Sequence, residues 1–227
     1  LFVLPITRHV VMMWIAGLLI LLVVWLATRR RGLAPKGFQN LMEMIVVFVR
    51  DDLARRNIGA HGDRFVPYLL STFVFILTCN LLGLLPYAST ATGNIGVTAG
   101  LAGMAFLMTQ FAGIREHGLL GHLKNLVPHG LPVWLVPLMI VVEIMGMIAK
   151  PFALCVRLFA NMTAGHVVIL SLISLVFILK STLVGAFLSV PFALFINGIE
   201  ILVAFLQAYI FTMLTSLFIG MSVHPAH

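Results

Sequence analysis

Charge is what this chain has least of: Asp, Glu, Lys and Arg make up 9% of its 227 residues, where a soluble domain carries about a quarter. With 61% hydrophobic residues and a mean hydropathy of +1.12, the sequence reads as an all-α polytopic integral membrane protein. The net charge of +7 flanks apolar runs instead of forming one phosphate-binding face, so no nucleic acid is expected. Cysteine is nearly absent. Cys79 and Cys155 each lie inside an apolar run and far apart, which excludes a disulfide framework and makes them small core hydrophobes. A phosphate-binding glycine loop and a nucleophile elbow are missing, and His117, His122 and His129 lack metal-ligand spacing. The chain is therefore expected to hold no cofactor, no metal, no nucleotide and no catalytic site of its own.

What is present is a series of apolar runs, expected to form a single membrane domain over 1–227. The first, 10–28, runs straight into Arg29, Arg30 and Arg31 without a small-residue cleavage site, so it reads as a retained span and not a signal peptide. The chain opens on Leu1, not Met, and residues before it are expected to be missing. In 37–57, Phe38, Leu41, Met42, Ile45, Val49 and Leu53 recur at helical spacing among Gln39, Glu43, Arg50, Asp51 and Arg55. That pattern predicts an amphipathic helix lying on the membrane surface. Spans follow at 67–85, stopped by Pro86, and at 95–114, which is Gly-rich and able to pack closely.

The basic residues Arg29, Arg30, Arg31, Lys36, Arg50, Arg55, Arg56, Arg64, Arg115 and Lys124 fall on one side of these spans, while the connection Tyr87 to Asn94 has none. The positive-inside rule places them on the cytoplasmic or matrix side, with Arg8 and Lys180 as isolated charges opposite.

Two long apolar blocks remain, 132–180 and 183–222. The first, about 48 residues, would measure roughly 70 Å as one helix, more than twice the hydrocarbon thickness. Either it breaks near Lys150 and Pro151 into two short spans, or it is a helix that does not cross in the ordinary way. Inside it sits Arg157, always protonated and costly at mid-bilayer, which makes it a functional-site candidate by default. A hairpin turning near Lys180 to Gly185 would set Arg157 against Gln207 and His166 against Glu200. Both pairs imply nearly the same turn, because facing residues in an antiparallel hairpin have numbers with a constant sum.

Arg157 and Asn161 share a face at i,i+4, as do Glu200 and Gln207 seven apart, and Glu143, Lys150 and Arg157 form a stripe at seven-residue spacing. His166 points roughly opposite Arg157 in an ideal helix, so His166 with Glu200 is expected to line a different polar route. A His facing a carboxylate can relay protons near neutral pH. Plainer roles stand beside these. The His166–Glu200 pair can hold two helices together, Asn161 and Gln207 suit interhelical hydrogen bonds, Lys150 suits packing, and Glu143 can simply pair with Lys150.

Lys150-Pro151, Arg157-Leu158-Phe159-Ala160-Asn161-Met162-Thr163-Ala164-Gly165-His166, Glu200 and Gln207-Ala208-Tyr209-Ile210-Phe211 together closely resemble subunit a of F-type ATP synthases. Gln39, Glu43, Asn80-Leu81-Leu82-Gly83-Leu84-Leu85-Pro86 and Glu143 fit as well, so the likeness covers most of the chain. It implies a proton-conducting membrane stator beside the c-ring subunits, partnered by peripheral stalk b subunits, other ATP synthase subunits and membrane lipid. The host membrane would be a bacterial plasma membrane or an organellar inner membrane.

By that likeness Arg157 faces the ring carboxylates between two offset half-channels and prevents a short circuit. Asn161, His166, Glu200 and Gln207 would line the outer route and Glu143 the inner one, and the long hairpin would lie strongly tilted around the ring. Some members carry Glu at the position of His166 and His at that of Glu200, the same pair with its places exchanged. The rival reading, from the intramembrane arginine alone, is a secondary transporter or channel binding an anion; transporters commonly show two related halves, and no internal repeat is visible here.

Overall fold

The computed structural model describes residues 8–29, 37–84, 91–124, 135–179 and 190–223, and among these the secondary structure is helical without strands. The elements are α1 (Arg8–Arg29), α2 (Phe38–Val47), a π-helical stretch (Phe48–Arg55), α3 (Arg56–Ile58), a 3-10 turn (Gly59–Arg64), α4 (Val66–Gly83), α5 (Ile95–Lys124), α6 (Val136–Leu179) and α7 (Val190–Val223). Among the described residues, α1, α4, α5, α6 and α7 are long and apolar enough to cross a membrane. The chain is thus an all-α polytopic membrane protein.

Local chemistry sets several boundaries. Pro67 stands in the first turn of α4, where a missing N–H costs nothing. Asn94 caps α5, its Oδ1 accepting the Gly96 amide at 2.8 Å. Gly118 takes φ 70° and ψ 167°, which are not helical values, so α5 is two helical pieces joined at a kink: the first ends near the Ile114 expected from composition and the second is short and reaches Lys124.

The surface helix expected over 37–57 changes character at Phe48. In a π-helix the bonds close i→i+5, which brings Ala54 under Val49, and both are buried, as are Leu53 and, in α3, Ile58. A 3.6-residue period singles out Val49 and Leu53 but not Ala54. The segment ends at Gly59, whose φ of 78° suits glycine alone.

α7 is the centre of the packing, with α4, α5 and α6 around it and α3 against its final turns. Phe73, Ile76, Leu158, Phe211 and Ile219 are buried in the shared core. Lipid is as apolar as these side chains, so close fit and interhelical hydrogen bonds hold such helices together, each bond contributing about 0.6 kcal/mol. At the end of α7, Asn57 Nδ2 donates to Ser216 Oγ at 2.6 Å. Ser222 Oγ donates to the Thr109 carbonyl at 3.0 Å, and His117 Nε2 lies 3.0 Å from the Val223 carbonyl. α1 is peripheral, touching α4 through Ala16 and Cys79.

Candidate functional site

The question left by the long block is answered by α6, one continuous helix of 44 residues that passes through Pro151. The expected turn, Lys180 to Gly185, lies outside the described residues. The register of the hairpin can still be read from its arms. Asn161 Nδ2 donates to Gln207 Oε1 at 3.2 Å, and the Lys150 ammonium lies 5.5 Å from the centre of the Phe218 ring. These two pairs have the same residue-number sum although they sit three turns apart, so α6 and α7 run antiparallel.

That register differs slightly from the expectation. Gln207 bonds to Asn161 instead of facing Arg157, one helical turn along α6. The physical reason is that an amide can donate and accept, and is better matched by another amide than by a guanidinium that only donates. The Glu200 carboxylate lies over Gly165, where a Cβ would collide with its Oε1. The side chain of His166 is outside what is described, but its backbone neighbour Gly165 is therefore the residue against which Glu200 packs.

Arg157 is exposed on α6, and among the described residues no carboxylate forms an ion pair with it. Around it run Ala149, Ala153, Ala160 and Ala164, all exposed. Spaced four, seven and four apart, they make one smooth strip beside the guanidinium on which a second helix can come close. The opposite side of α6 is occupied: Leu154 and Leu158 are buried, and Cys155 Sγ meets Thr98 Oγ1 at 3.4 Å.

Glu143 is half-buried, two seven-residue steps before Arg157 on the same stripe. Lys150, between them, is turned to Phe218, which is the packing role anticipated for it. Gln207 is 5% exposed, and its Nε2 is buried without a hydrogen-bond partner among the described residues. A buried amide donor is costly to leave unmade, which makes Gln207 stand out in an otherwise apolar helix.

A further polar group enters nearby from α4. Asn80, 2% exposed, donates from Nδ2 to the Ala204 carbonyl at 3.4 Å, one turn from both Glu200 and Gln207. Thr92 Oγ1 in turn donates to Asn80 Oδ1 at 3.0 Å. In the sequence Asn80 figured only within the family-like run Asn80 to Pro86, and Thr92 carried no signal, because its contact joins residues twelve apart.

An exposed arginine on an alanine strip, in an antiparallel hairpin with an amide and a carboxylate beside it, restates in space the motif that pointed to a family. The sequence profile described as ATP synthase A chain matches residues 10–220. The chain belongs to the ATP synthase A chain family.

Its relatives agree along the whole length. It is 54% identical over 233 residues to "ATP synthase subunit a" of Chloroherpeton thalassium, covering 100% of this chain and 69% of the relative. It is 52% identical over 228 residues to the protein of the same name in Myxococcus xanthus, covering 99% and 75%. A third relative of that name, from an Anaeromyxobacter species, is 55% identical over 227 residues, covering 97% and 55%. As an ATP synthase A chain, the protein is a multi-pass, ion-translocating subunit of the membrane sector and not the nucleotide-converting part. The anion-transporter alternative loses its ground with that membership.

Proposed function

We propose that this chain is the proton-conducting stator of a rotary F-type ATP synthase, offering two offset half-channels to carboxylates on a ring of c subunits. Arg157 is the barrier between them. What supports this most is the setting of that arginine: it is exposed, without a carboxylate partner among the described residues, and flanked by alanines. A guanidinium at mid-bilayer costs about 2.5–3.5 kcal/mol even on lenient scales, and a carboxylate arriving on a neighbouring helix offsets that cost. Because arginine does not release its proton, it attracts each passing carboxylate without accepting a proton from it.

Asn161, His166, Glu200 and Gln207 line the outer route, and Glu143 belongs to the inner one. The hairpin lies strongly tilted. The apolar window Val136–Ser171 has 36 residues, about 54 Å of helix, and fits a core of about 30 Å at a tilt of about 55° from the membrane normal. The arginine-rich side faces the cytoplasm or matrix, where peripheral stalk b subunits and the remaining ATP synthase subunits join. In membrane vesicles, Arg157→Ala is expected to abolish ATP-driven proton pumping while the complex remains assembled. Pumping at the wild-type rate in that variant would refute the reading.

A further inference from the structure

We propose that Asn80 and Thr92 are positioning residues for proton passage: together they fix the rotation of α7 at the turn that carries Glu200 and Gln207. This rests on the reading that those two side chains take part in the outer route.

The argument begins with which way the Asn80 amide points. The Ala204 carbonyl can only accept, so the amide must present Nδ2 to it, at 3.4 Å. Oδ1 is then left facing Thr92, whose hydroxyl must act as the donor, at 3.0 Å. Turned the other way, the amide would set oxygen against oxygen at Ala204. The two bonds therefore form one directed chain from the 3-10 turn Ala91–Gly93, through α4, to the backbone of α7. Both side chains are buried, Asn80 at 2% exposure and Thr92 at 0%, so neither can exchange its partner for bulk water.

Ala204 lies four residues after Glu200 and three before Gln207, so all three share one face of α7. Attachment to a backbone carbonyl holds the helix itself and not merely a side chain. Side-chain atoms stand about 5–6 Å from a helix axis, so a rotation of about 20° moves the Gln207 amide by about 2 Å. That is enough to break its 3.2 Å bond with Asn161. The rotation also carries the Glu200 carboxylate away from Gly165.

The test uses the whole ATP synthase in membrane vesicles, with passive proton flow normalised to assembled complex and followed across pH. Thr92→Val removes the donor; flow is expected to fall about ten-fold, and the pH of half-maximal flow to move. Thr92→Ser is expected to restore both. In a Gln207→Leu background, Thr92→Val is expected to cost clearly less than it does alone, because one of the two side chains it positions is already gone and only the displacement of Glu200 remains.

Additive losses, or flow within about two-fold of wild type in Thr92→Val, would overturn the proposal. Thr92→Ala, which deletes the same oxygen with less bulk, is run beside it. Failure of both to assemble would assign the hydroxyl to folding and equally overturn the proposal. The underlying reading is checked separately by Glu200→Gln and Gln207→Leu. If neither lowers flow, the route is misplaced; if both do and the Thr92 variants do not, positioning alone fails.

Discussion

Gly165→Ala is the substitution whose effects on stability and on proton flow should part most cleanly. In the interior of a helix, alanine is favoured over glycine by about 0.5–1 kcal/mol, because glycine loses more backbone freedom on folding. Helix propensity alone therefore makes the variant more stable. The added methyl, however, would collide with Oε1 of Glu200. To regain ordinary contact near 3.5 Å, the carboxylate must retreat by about 1 Å. It sits at the end of a flexible side chain and can do so without disturbing the helices.

Assembly should thus be retained while the carboxylate is misplaced. A displacement of about 1 Å at a reacting group can cost on the order of 100-fold, and ATP-driven pumping per assembled complex is expected to fall by one to two orders of magnitude. Adding Glu200→Asp, shorter by one methylene, should return part of the activity. Wild-type pumping in Gly165→Ala, or a double variant no better than the single one, would refute the link between this contact and proton passage.

His166→Ala or Glu200→Ala is expected to slow proton flow, and exchanging the two residues to restore some of it; no recovery in the exchanged variant would mean that they do not work as a pair. Gly220→Ala should behave unlike Gly165→Ala, because its methyl would meet the backbone carbonyl of Asn57, which cannot swing aside. Overpacking of that kind costs about 1–3 kcal/mol, and the expected outcome is a lower thermal midpoint of the complex or less subunit in the membrane.

Asp63→Asn tests the turn before α4. Arg55 bonds Asp63 bidentately, Nε to Oδ1 at 2.8 Å and Nη2 to Oδ2 at 3.0 Å, and this hydrogen bonding holds the Asp63 carboxyl below its ordinary 3.8. A carboxyl with a lowered pKa stabilises the fold above its unfolded value and loses that contribution as pH falls through the folded one. The protection of amides over 59–64, taken relative to the intrinsic exchange rate at each pH, should therefore be constant near neutrality and fall only in acid. In Asp63→Asn that protection should be low at both.

Much of the site could be read from the sequence because its signals are local. Arg157, Asn161 and His166 follow one another on one helix, and a charge or amide in an apolar run is conspicuous wherever the chain goes. The antiparallel register was nearly legible too, and missed by one turn: constant-sum arithmetic treats helices as rods, whereas Asn161 reaches Gln207 through two flexible side chains. What could not be read was non-local or non-standard. The π-helical stretch brings Ala54 under Val49, five residues earlier, so Ala54 was invisible to a search at period 3.6. Thr92 and Ser216 look like ordinary hydroxyls until the fold sets Asn80 and Asn57 beside them. Pro151 reads as a breaker, yet α6 continues through it, as membrane helices tolerate when neighbouring groups satisfy the freed carbonyl.

The two ends of α7 are held by different means, and the difference suits a stator. Toward Val223, the helix is fixed by contacts that leave no slack: Gly220 against the Asn57 backbone, Asn57 to Ser216, Ser222 to the Thr109 carbonyl, and His117 at the last carbonyl. Toward Val190, α7 presents Glu200 over a glycine and Gln207 to an amide, contacts made by side-chain tips. A subunit that withstands the push of a rotating neighbour needs its backbone immobile, yet proton transfer needs polar tips that can shift between partners. On α7 the tight backbone packing at Gly220 lies at one end, and the side-chain contacts of Glu200 and Gln207 lie toward the other. Among the described residues, the bond from Asn80 to the Ala204 carbonyl anchors the backbone of α7 in the half that carries Glu200 and Gln207, which is why its loss should be felt in proton flow before it is felt in assembly.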